Sequence, residues 1–339
     1  MQAFQYNNPK EGLQLRTVPI PTPGPGYVQI RVKAAGLCHS DCHVIRGGTD
    51  DWAAKRPITL GHEISGVVET IGPDVVGYQT GDRVAVAQIA HPIEERNLTL
   101  AVGLGDDGGY AEYVVAHVCR IVRIPDGVTF AQAAVATDAM ATAYHAVVTE
   151  AKARSELVVG IIGIGGLGMQ AVAFSVLRGA EVYAIDIVKA KFDEASRLGA
   201  KGCYESIHDA IGVEFDVLID FAGTGSTTHS ALEKVKEGGK VIVVGLGSAE
   251  IAIPSPALVI KSISLIGSLG ASRDDLLEVL QLLASGLITP KLKEVPFADI
   301  PAGLDALDKG GVQGRLWADP SGLDKDGVKR ISGADLSKL

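Results

Sequence analysis

The sequence predicts an α/β protein with two parts, one β-rich and one built on a doubly wound parallel sheet. The chain has 339 residues, more than one hydrophobic core usually supports. Residues 1–145 contain short apolar segments separated by Pro-Gly, Gly-Pro and Gly-Asp pairs, which is typical of β-structure. From about residue 156, apolar runs alternate with helical stretches, and this alternation indicates a parallel sheet with helices on both faces.

The individual elements follow from the same patterns. In the N-terminal part we expect strands at 27–34, 63–71, 83–87 and 111–115. In the second part we expect strands at 157–162, 181–185, 215–221, 240–244 and 262–266. Helices are expected after the first of these strands up to residue 178, and at 189–198, 227–236 and 273–285. Residues 320–339 are polar and predict a surface tail.

Composition and charge exclude several classes of protein. Hydrophobic residues make up 47% and charged residues 21%, which argues for an ordered globular chain. A net charge of -9 argues against a nucleic-acid partner, because phosphate binding needs a clustered basic face. Four dispersed cysteines do not suit a disulfide-stapled secreted domain, and no signal-peptide pattern is visible. We therefore expect a cytoplasmic protein that acts on a small molecule.

One uncharged stretch, residues 157–177, is long enough to cross a bilayer. Its glycines at 160, 163, 165, 166 and 168 favour a buried strand and a tight turn over a helix that faces lipid. We therefore expect no membrane segment.

A dinucleotide site is predicted in the second part. A G-x-G-x-x-G turn follows the first apolar strand there and opens a helix, and it consists of Gly163, Ile164, Gly165, Gly166, Leu167 and Gly168. Its backbone and the helix N-terminus suit a pyrophosphate. Asp186 ends the next strand and can bind ribose hydroxyls, which favours NAD over NADP, although Lys189 and Lys191 leave NADP open. A glycine turn that only packs sheet against helix is the other interpretation.

Ligands that zinc prefers stand close together in the N-terminal part. Cys38 and His62 each lie in a short run of Cys, His and acidic residues, and a catalytic zinc uses three such ligands and an open position. Spacing alone is equally consistent with a buried thiol and a hydrogen-bonded imidazole of no catalytic role.

The chain resembles the zinc-containing alcohol dehydrogenase family of medium-chain dehydrogenases/reductases along nearly its whole length. The landmarks are GLCHSDCHV, GHE, GDRV, GGYAEY, TAYHAV, GIGGLG and QGR, in the family's order. The resemblance implies a GroES-like catalytic domain at 1–147 and 285–339 and a Rossmann NAD-binding domain at 148–284. It implies hydride transfer between NAD and an alcohol, aldehyde or ketone, in a homo-oligomer, either a dimer or a tetramer.

The same resemblance assigns roles to single residues. Cys38, His62 and Asp138 match the ligands of one catalytic zinc, and Asp138 stands where many relatives carry cysteine. Glu63 matches a glutamate that is either an exchangeable ligand or a close neighbour of the metal. Catalytic roles in proton transfer fall to Ser40 and His43. Two residues, His39 and Arg315, match positions that contact the cofactor pyrophosphate. Four others match the surroundings of the nicotinamide, namely Thr142, Leu167, Val244 and Ser268.

The resemblance fails at one point. Many relatives hold a structural zinc with four cysteines after GDRV, but residues 87–109 contain no cysteine, so we expect no structural zinc. Two alternatives to the alcohol dehydrogenase stay open from sequence. One is a reductase of a conjugated C=C or C=N bond, and the other is a dinucleotide-binding protein without catalysis.

Overall fold

A computed structural model of the chain describes residues 1–47 and 55–322. Most of the predicted tail, residues 323–339, lies outside the described residues. The fold has two compact units, one formed by Met1–Asp138 with the chain from Ala271 onward, the other by Ala139–Gly270.

The strands are, in chain order, β1 (Gln2–Tyr6), β2 (Leu13–Thr17), β3 (Tyr27–Gly36), β4 (Ile58–Thr59), β5 (Glu63–Ile71), β6 (Arg83–Val86), β7 (Ile89–His91), β8 (Tyr113–His117), β9 (Ile121–Arg123), β10 (Val158–Ile162), β11 (Glu181–Ile185), β12 (Gly202–Tyr204), β13 (Phe215–Asp220), β14 (Val235–Val243), β15 (Ser264–Gly267), β16 (Ala271–Ser272), β17 (Leu292–Glu294) and β18 (Arg315–Ala318). The α-helices are α1 (His39–Ile45), α2 (Phe130–Val135), α3 (Ala141–Tyr144), α4 (Gly166–Leu177), α5 (Phe192–Arg197), α6 (Gly225–Lys234), α7 (Ser255–Ile260), α8 (Arg273–Ala284) and α9 (Ile300–Asp308).

The first unit is β-rich, as predicted. Its largest sheet has the order β17-β18-β3-β5-β6-β9, with β8 also paired to β3, and a smaller sheet has the order β2-β1-β4. Strand β3 shows why these segments form sheets, because Val28, Ile30 and Val32 are fully buried while Arg31 is only half-buried. Such alternation puts apolar side chains on the core face and charged ones toward water.

The second unit is a doubly wound parallel sheet. Its six strands follow the order β12-β11-β10-β13-β14-β15, and every neighbouring pair is parallel. By rank along the chain this is the strand order of a Rossmann fold, so the predicted fold class is confirmed. The carboxyl ends of parallel strands share one edge of the sheet, which is where such folds bind dinucleotides.

The two units divide the chain at places that differ from the predicted domain boundaries. Residues 139–147 go with the parallel sheet, because the Tyr144 ring packs edge-on against Phe174 of α4, with centroids 5.2 Å apart. Residues 271–284 go with the β-rich unit, because Ala271 pairs with Ile89 and Arg273 Nη2 donates to the Ile121 carbonyl at 3.4 Å. For both stretches, tertiary packing decides which of the two units they belong to.

The uncharged stretch 157–177 folds as strand β10, the glycine turn and helix α4. Within the described part of the chain, no helix combines the length and apolar character needed to cross a membrane.

Candidate active site

A thiol, an imidazole and a carboxylate converge in the first unit. Cys38 immediately precedes α1, His62 immediately precedes β5, and Asp138 lies in a π-helical turn, Ala136–Met140. Cys38 Sγ lies 3.3 Å from Asp138 Oδ2, and His62 Nε2 lies 3.4 Å from the same oxygen. The three ligand atoms all fall within 4.8 Å of one another.

This donor set fits zinc. Zn²⁺ with bonds of 2.0–2.3 Å in tetrahedral geometry separates its ligand atoms by about 3.3–3.8 Å. The distances from Asp138 Oδ2 to Cys38 Sγ and to His62 Nε2, 3.3 Å and 3.4 Å, lie in that range. Cys38 and His62 are buried at 3% and 2% exposure, so few waters compete for the ion. The Asp138 pKa lies well below its usual range, because hydrogen bonds from His62 and Cys38 and the nearby charges outweigh the effect of burial. Its carboxylate therefore stays ionised as a ligand must.

His62 is oriented from behind by Asp41 and Tyr110. Asp41 Oδ1 lies 3.3 Å from His62 Nδ1, and Asp41 Oδ2 accepts a hydrogen bond from the Tyr110 hydroxyl at 2.8 Å. Asp41 and Tyr110 are fully buried. Such a carboxylate fixes the imidazole tautomer that leaves Nε2 able to bind a metal, and the tyrosine hydroxyl fixes the carboxylate in turn.

Glu63 and Arg315 form a buried ion pair beside this cluster. Arg315 Nη2 donates to Glu63 Oε1 and lies 3.7 Å from Asp138 Oδ2. Burial raises the pKa of Glu63 to about 7, and the Arg315 charge opposes that rise. Arg315 is 2% exposed. The guanidinium is thus paired with carboxylates of the site, and the pyrophosphate contact expected for Arg315 stays a prediction.

Helix α1 presents three more of the predicted residues. The Ser40 hydroxyl lies 3.6 Å from Cys38 Sγ, so it stands beside a candidate metal ligand. His39 and His43 stand one helical turn apart and therefore share a helix face. The pKa of His39 is lowered to about 4, chiefly by desolvation and then by the Arg315 charge, although the residue as a whole lies at the surface.

The second unit gathers the predicted dinucleotide residues at one sheet edge. Each of four residues directly follows the carboxyl end of a parallel strand, namely Gly163 after β10, Asp186 after β11, Val244 after β14 and Ser268 after β15. Leu167 is half-buried in the first turn of α4, and Thr142 is buried in α3. Four of the predicted cofactor residues therefore share the carboxyl edge of the parallel sheet.

The glycine turn has the geometry that its motif predicts. A Cβ at Gly168 would collide with the Gly163 carbonyl oxygen, so this position requires glycine for close packing. A Cβ at Gly165 would meet no atom within 4 Å, so that position is open toward space. The open backbone at Gly165 allows a phosphate to approach, and Gly166 begins the helix behind it.

Asp186 is 8% exposed and already bonded to its own loop. Its Oδ1 accepts from the Val188 amide at 2.8 Å, and its Oδ2 pairs with Lys191 Nζ at 2.8 Å. Lys191, one of the two lysines that left NADP open, is therefore a direct partner of Asp186. A ribose hydroxyl would share this carboxylate with Lys191.

Sequence reasoning missed Asp220, the last residue of β13. This fully buried carboxylate accepts four hydrogen bonds, from the amides of Ala222 and Gly223 at 2.9 Å and the hydroxyls of Thr227 and Thr228 at 2.7 Å. It fixes the turn after β13 at the same edge as the predicted cofactor residues. The sequence signal that could have indicated Asp220 is its position as an acidic residue at the end of an apolar run.

The cysteine-free segment 87–109 is held by hydrogen bonds and ion pairs. Lys55 Nζ pairs with Asp106 Oδ1 at 2.6 Å and with Asp107 Oδ2 at 2.8 Å. Gln88 Nε2 donates to the carbonyls of His62 at 2.9 Å and Val102 at 3.0 Å. One amide thus ties the segment to the backbone of a candidate metal ligand.

Comparison with known proteins agrees with this geometry. Residues 24–126 match the family model described as the alcohol dehydrogenase GroES-like domain, and residues 166–285 match the one described as zinc-binding dehydrogenase. An alcohol dehydrogenase of Geobacillus stearothermophilus is 34% identical over 339 residues, covering 93% of this chain and 98% of that protein.

Solved structures show the same similarity. The acetophenone reductase of Geotrichum candidum, in complex with NAD, superposes with a TM-score of 0.86 at 33% identity, covering 94% of this chain and 97% of that one. A cobalt- and zinc-bound thermostable alcohol dehydrogenase of Pyrobaculum aerophilum gives a TM-score of 0.84 at 30% identity, covering 94% and 99%.

The chain is an oxidoreductase with a GroES-like catalytic part and a Rossmann part. It belongs to the zinc-containing alcohol dehydrogenase family of medium-chain dehydrogenases/reductases. The predicted family is therefore confirmed, as is the predicted reaction class, NAD-dependent interconversion of an alcohol and an aldehyde or ketone.

Proposed function

We propose that the chain carries out this reaction on a small alcohol or carbonyl compound with one zinc ion, held by Cys38, His62 and Asp138, and none in segment 87–109. The convergence of three donor atoms within 4.8 Å carries the proposal. When bound there, zinc supplies Lewis-acid polarisation of the alcohol or carbonyl oxygen. An oxygen ligand in place of a thiolate makes the ion more electrophilic and less tightly held.

The protein's own residues move the proton. The Ser40 hydroxyl, 3.6 Å from Cys38 Sγ, would accept the hydrogen bond of the alcohol. As hydride leaves the adjacent carbon for NAD, Ser40 would take the alcohol proton and release its own hydroxyl proton in the same step. His43 lies on the next turn of α1 and is half-buried, so it relays that proton toward water. Imidazole suits this task because its ordinary pKa lies near neutrality. We assign His39 and Arg315, by family resemblance, to contacts with the cofactor pyrophosphate.

The charges of the site balance in pairs. The Cys38 thiolate and the Asp138 carboxylate neutralise a divalent ion, while the Arg315 guanidinium neutralises Glu63. Because Arg315 already binds Glu63 Oε1, we assign Glu63 as a close neighbour of the metal that can exchange into its coordination sphere. A buried charge without such a partner costs several kcal/mol.

The cofactor residues are those at the edge of the parallel sheet. The turn at Gly163–Gly168 would hold the pyrophosphate, and Asp186 would bind the adenosine ribose. Thr142, Leu167, Val244 and Ser268 would surround the nicotinamide. The carboxylate of Asp186 repels a 2′-phosphate, which favours NAD over NADP.

Elemental analysis of the purified protein, combined with NAD-linked turnover of a panel of primary and secondary alcohols, tests the proposal. We expect about one zinc per chain, loss of turnover with a chelator, and recovery with zinc. Asp138→Ala should lose both metal and turnover. Asp138→Cys, which restores the thiolate of many relatives, should keep the metal. Cys203→Ser, far along the chain from the ligands, is the matched control and should change neither.

Two results would overturn the proposal. A protein that holds no stoichiometric zinc and turns over alcohols equally well after chelation would remove the Lewis-acid role. Turnover of conjugated C=C or C=N substrates with no alcohol oxidation would replace the reaction by that of a double-bond reductase.

A further inference from the structure

A cavity of about 420 Å³ lies in the β-rich unit, and none of the candidate metal ligands lines it. Four apolar residues form much of its wall, namely Pro25, Leu100, Val102 and Val115. Its volume falls in the range of pockets that hold small molecules. Neither the metal site nor the dinucleotide edge accounts for it.

Arg120 lines this cavity as a buried cation. The residue is 5% exposed, its Nη2 donates to the Asn97 carbonyl at 3.0 Å, and its Nη1 is buried with no hydrogen-bond partner. Among residues 1–47 and 55–322, no carboxylate forms an ion pair with this guanidinium. A buried charge that lacks a counter-ion is costly, and folded proteins rarely keep one without a ligand to pair with it.

The acidic residue on the cavity wall does not supply the missing charge. Asp106 lines the cavity, but its Oδ1 already pairs with Lys55 Nζ at 2.6 Å. The wall therefore offers one uncompensated positive group, Arg120, next to an apolar surface and to the polar side chains of Tyr27, His117 and Cys119. This combination is complementary to a molecule with one negative group and an apolar body.

We propose that the cavity binds a small organic carboxylate, whose charge pairs with Arg120 and whose apolar part contacts Leu100, Val102 and Val115. A guanidinium binds a carboxylate through two parallel hydrogen bonds, which suits the unpartnered Nη1. The site does not depend on the proposed catalytic residues.

Cys119 provides a local readout of occupancy. Its side chain lines the same cavity and is exposed, while Cys38 and Cys42 are buried. We would measure the rate of Cys119 alkylation by iodoacetamide, by peptide mass spectrometry, at increasing benzoate, with neutral benzamide as the matched compound. At a benzoate concentration ten times its Kd, alkylation should slow by about tenfold, with little effect of benzamide. Binding at a metal would leave the Cys119 rate unchanged.

Variants at Arg120 separate charge from shape. Arg120→Met should abolish protection by benzoate, Arg120→Lys should retain part of it, and Arg123→Met, at an exposed arginine three residues on, should retain all of it. A thermal-unfolding scan supplies a second measurement, since benzoate should raise the Tm of the wild type and leave that of Arg120→Met unchanged.

Three outcomes would overturn the inference. They are equal protection by benzoate and benzamide, no protection by benzoate, and full protection in Arg120→Met. An oligomer in which a carboxylate of a second copy occupies the cavity would likewise replace the small molecule by a subunit contact.

Discussion

Replacing Asp220 should both destabilise the protein and weaken its hold on the cofactor. Asp220 is fully buried and accepts four hydrogen bonds in the turn after β13. Asp220→Ala leaves the amides of Ala222 and Gly223 without acceptors, at about 1–3 kcal/mol each. The two threonine hydroxyls can rotate toward other acceptors, as Thr227 already does toward the Thr224 carbonyl at 2.9 Å. We therefore expect a loss of about 3–5 kcal/mol in the free energy of unfolding.

The smaller change Asp220→Asn keeps one carbonyl oxygen for the two amides and faces the hydroxyls with an NH₂ group. The expected loss is about 1–2 kcal/mol. Because the turn lies at the cofactor edge, the Kd for NADH should rise by about tenfold even where the fold survives, a change worth about 1.4 kcal/mol.

Denaturant unfolding and NADH fluorescence titration measure these two effects. The matched control is Asp216→Asn, at the amino end of the same strand, where Oδ2 accepts from the Val158 amide at 2.7 Å. That variant should lose stability and keep its NADH affinity. If Asp220→Asn and Asp216→Asn changed the NADH Kd equally, the turn would have no specific role in holding the cofactor.

Three further predictions follow from the site. Tyr110→Phe removes a buried hydrogen bond to Asp41, so zinc affinity in a competition with a chromogenic chelator should fall by about 10-fold to 100-fold. Gly165→Val should weaken NADH binding with an unchanged Tm, because its side chain enters open space, whereas Gly168→Ala should lower the Tm through its collision with backbone. Asp186→Ser should raise the KM for NAD and lower the ratio of KM for NADP to KM for NAD, measured in steady-state assays.

Two of these predictions have a matched control that is close by in the sequence. Tyr113→Phe, at a half-buried tyrosine of β8, should leave zinc affinity unchanged. Lys191→Met removes the ammonium that pairs with Asp186 at 2.8 Å, and in the Asp186→Ser background it should cancel any gain with NADP. A Gly165→Val protein with normal NADH affinity, or a Tyr110→Phe protein with normal zinc affinity, would contradict the reasoning.

Local signals in the sequence were enough for the fold class and most elements. Strands β5 and β11 match the predicted bounds, because each is an apolar run with clear turn residues at its ends. Residues 139–147 and 271–284 show what such local signals do not predict, namely the unit that a segment joins. Their helical or extended character is local, but the unit that each joins depends on partners such as Phe174 and Ile121, far away in the sequence.

The candidate site was predictable from sequence where a local motif determines the backbone geometry by itself. The glycine turn is of this kind, because three glycines and a following helix determine one backbone path. Asp138 could be proposed only through family resemblance, since nothing in its surroundings marks a metal ligand. Asp220, Tyr110 and the pairing of Arg315 with Glu63 each depend on a contact across the fold, which a single sequence does not display.

The attachment of segment 87–109 has a consequence for how the protein matures. Gln88 and Lys55 hold this segment without any thiolate, so it can reach its final conformation before an ion is delivered. Under the proposed function, a chain that lacks zinc would then already be folded, and one ion bound by Cys38, His62 and Asp138 would make it active. Oxidants that strip metal from clustered thiolates would find no cysteine in segment 87–109, so under the proposed function the ion depends on one ligand thiol, the buried Cys38.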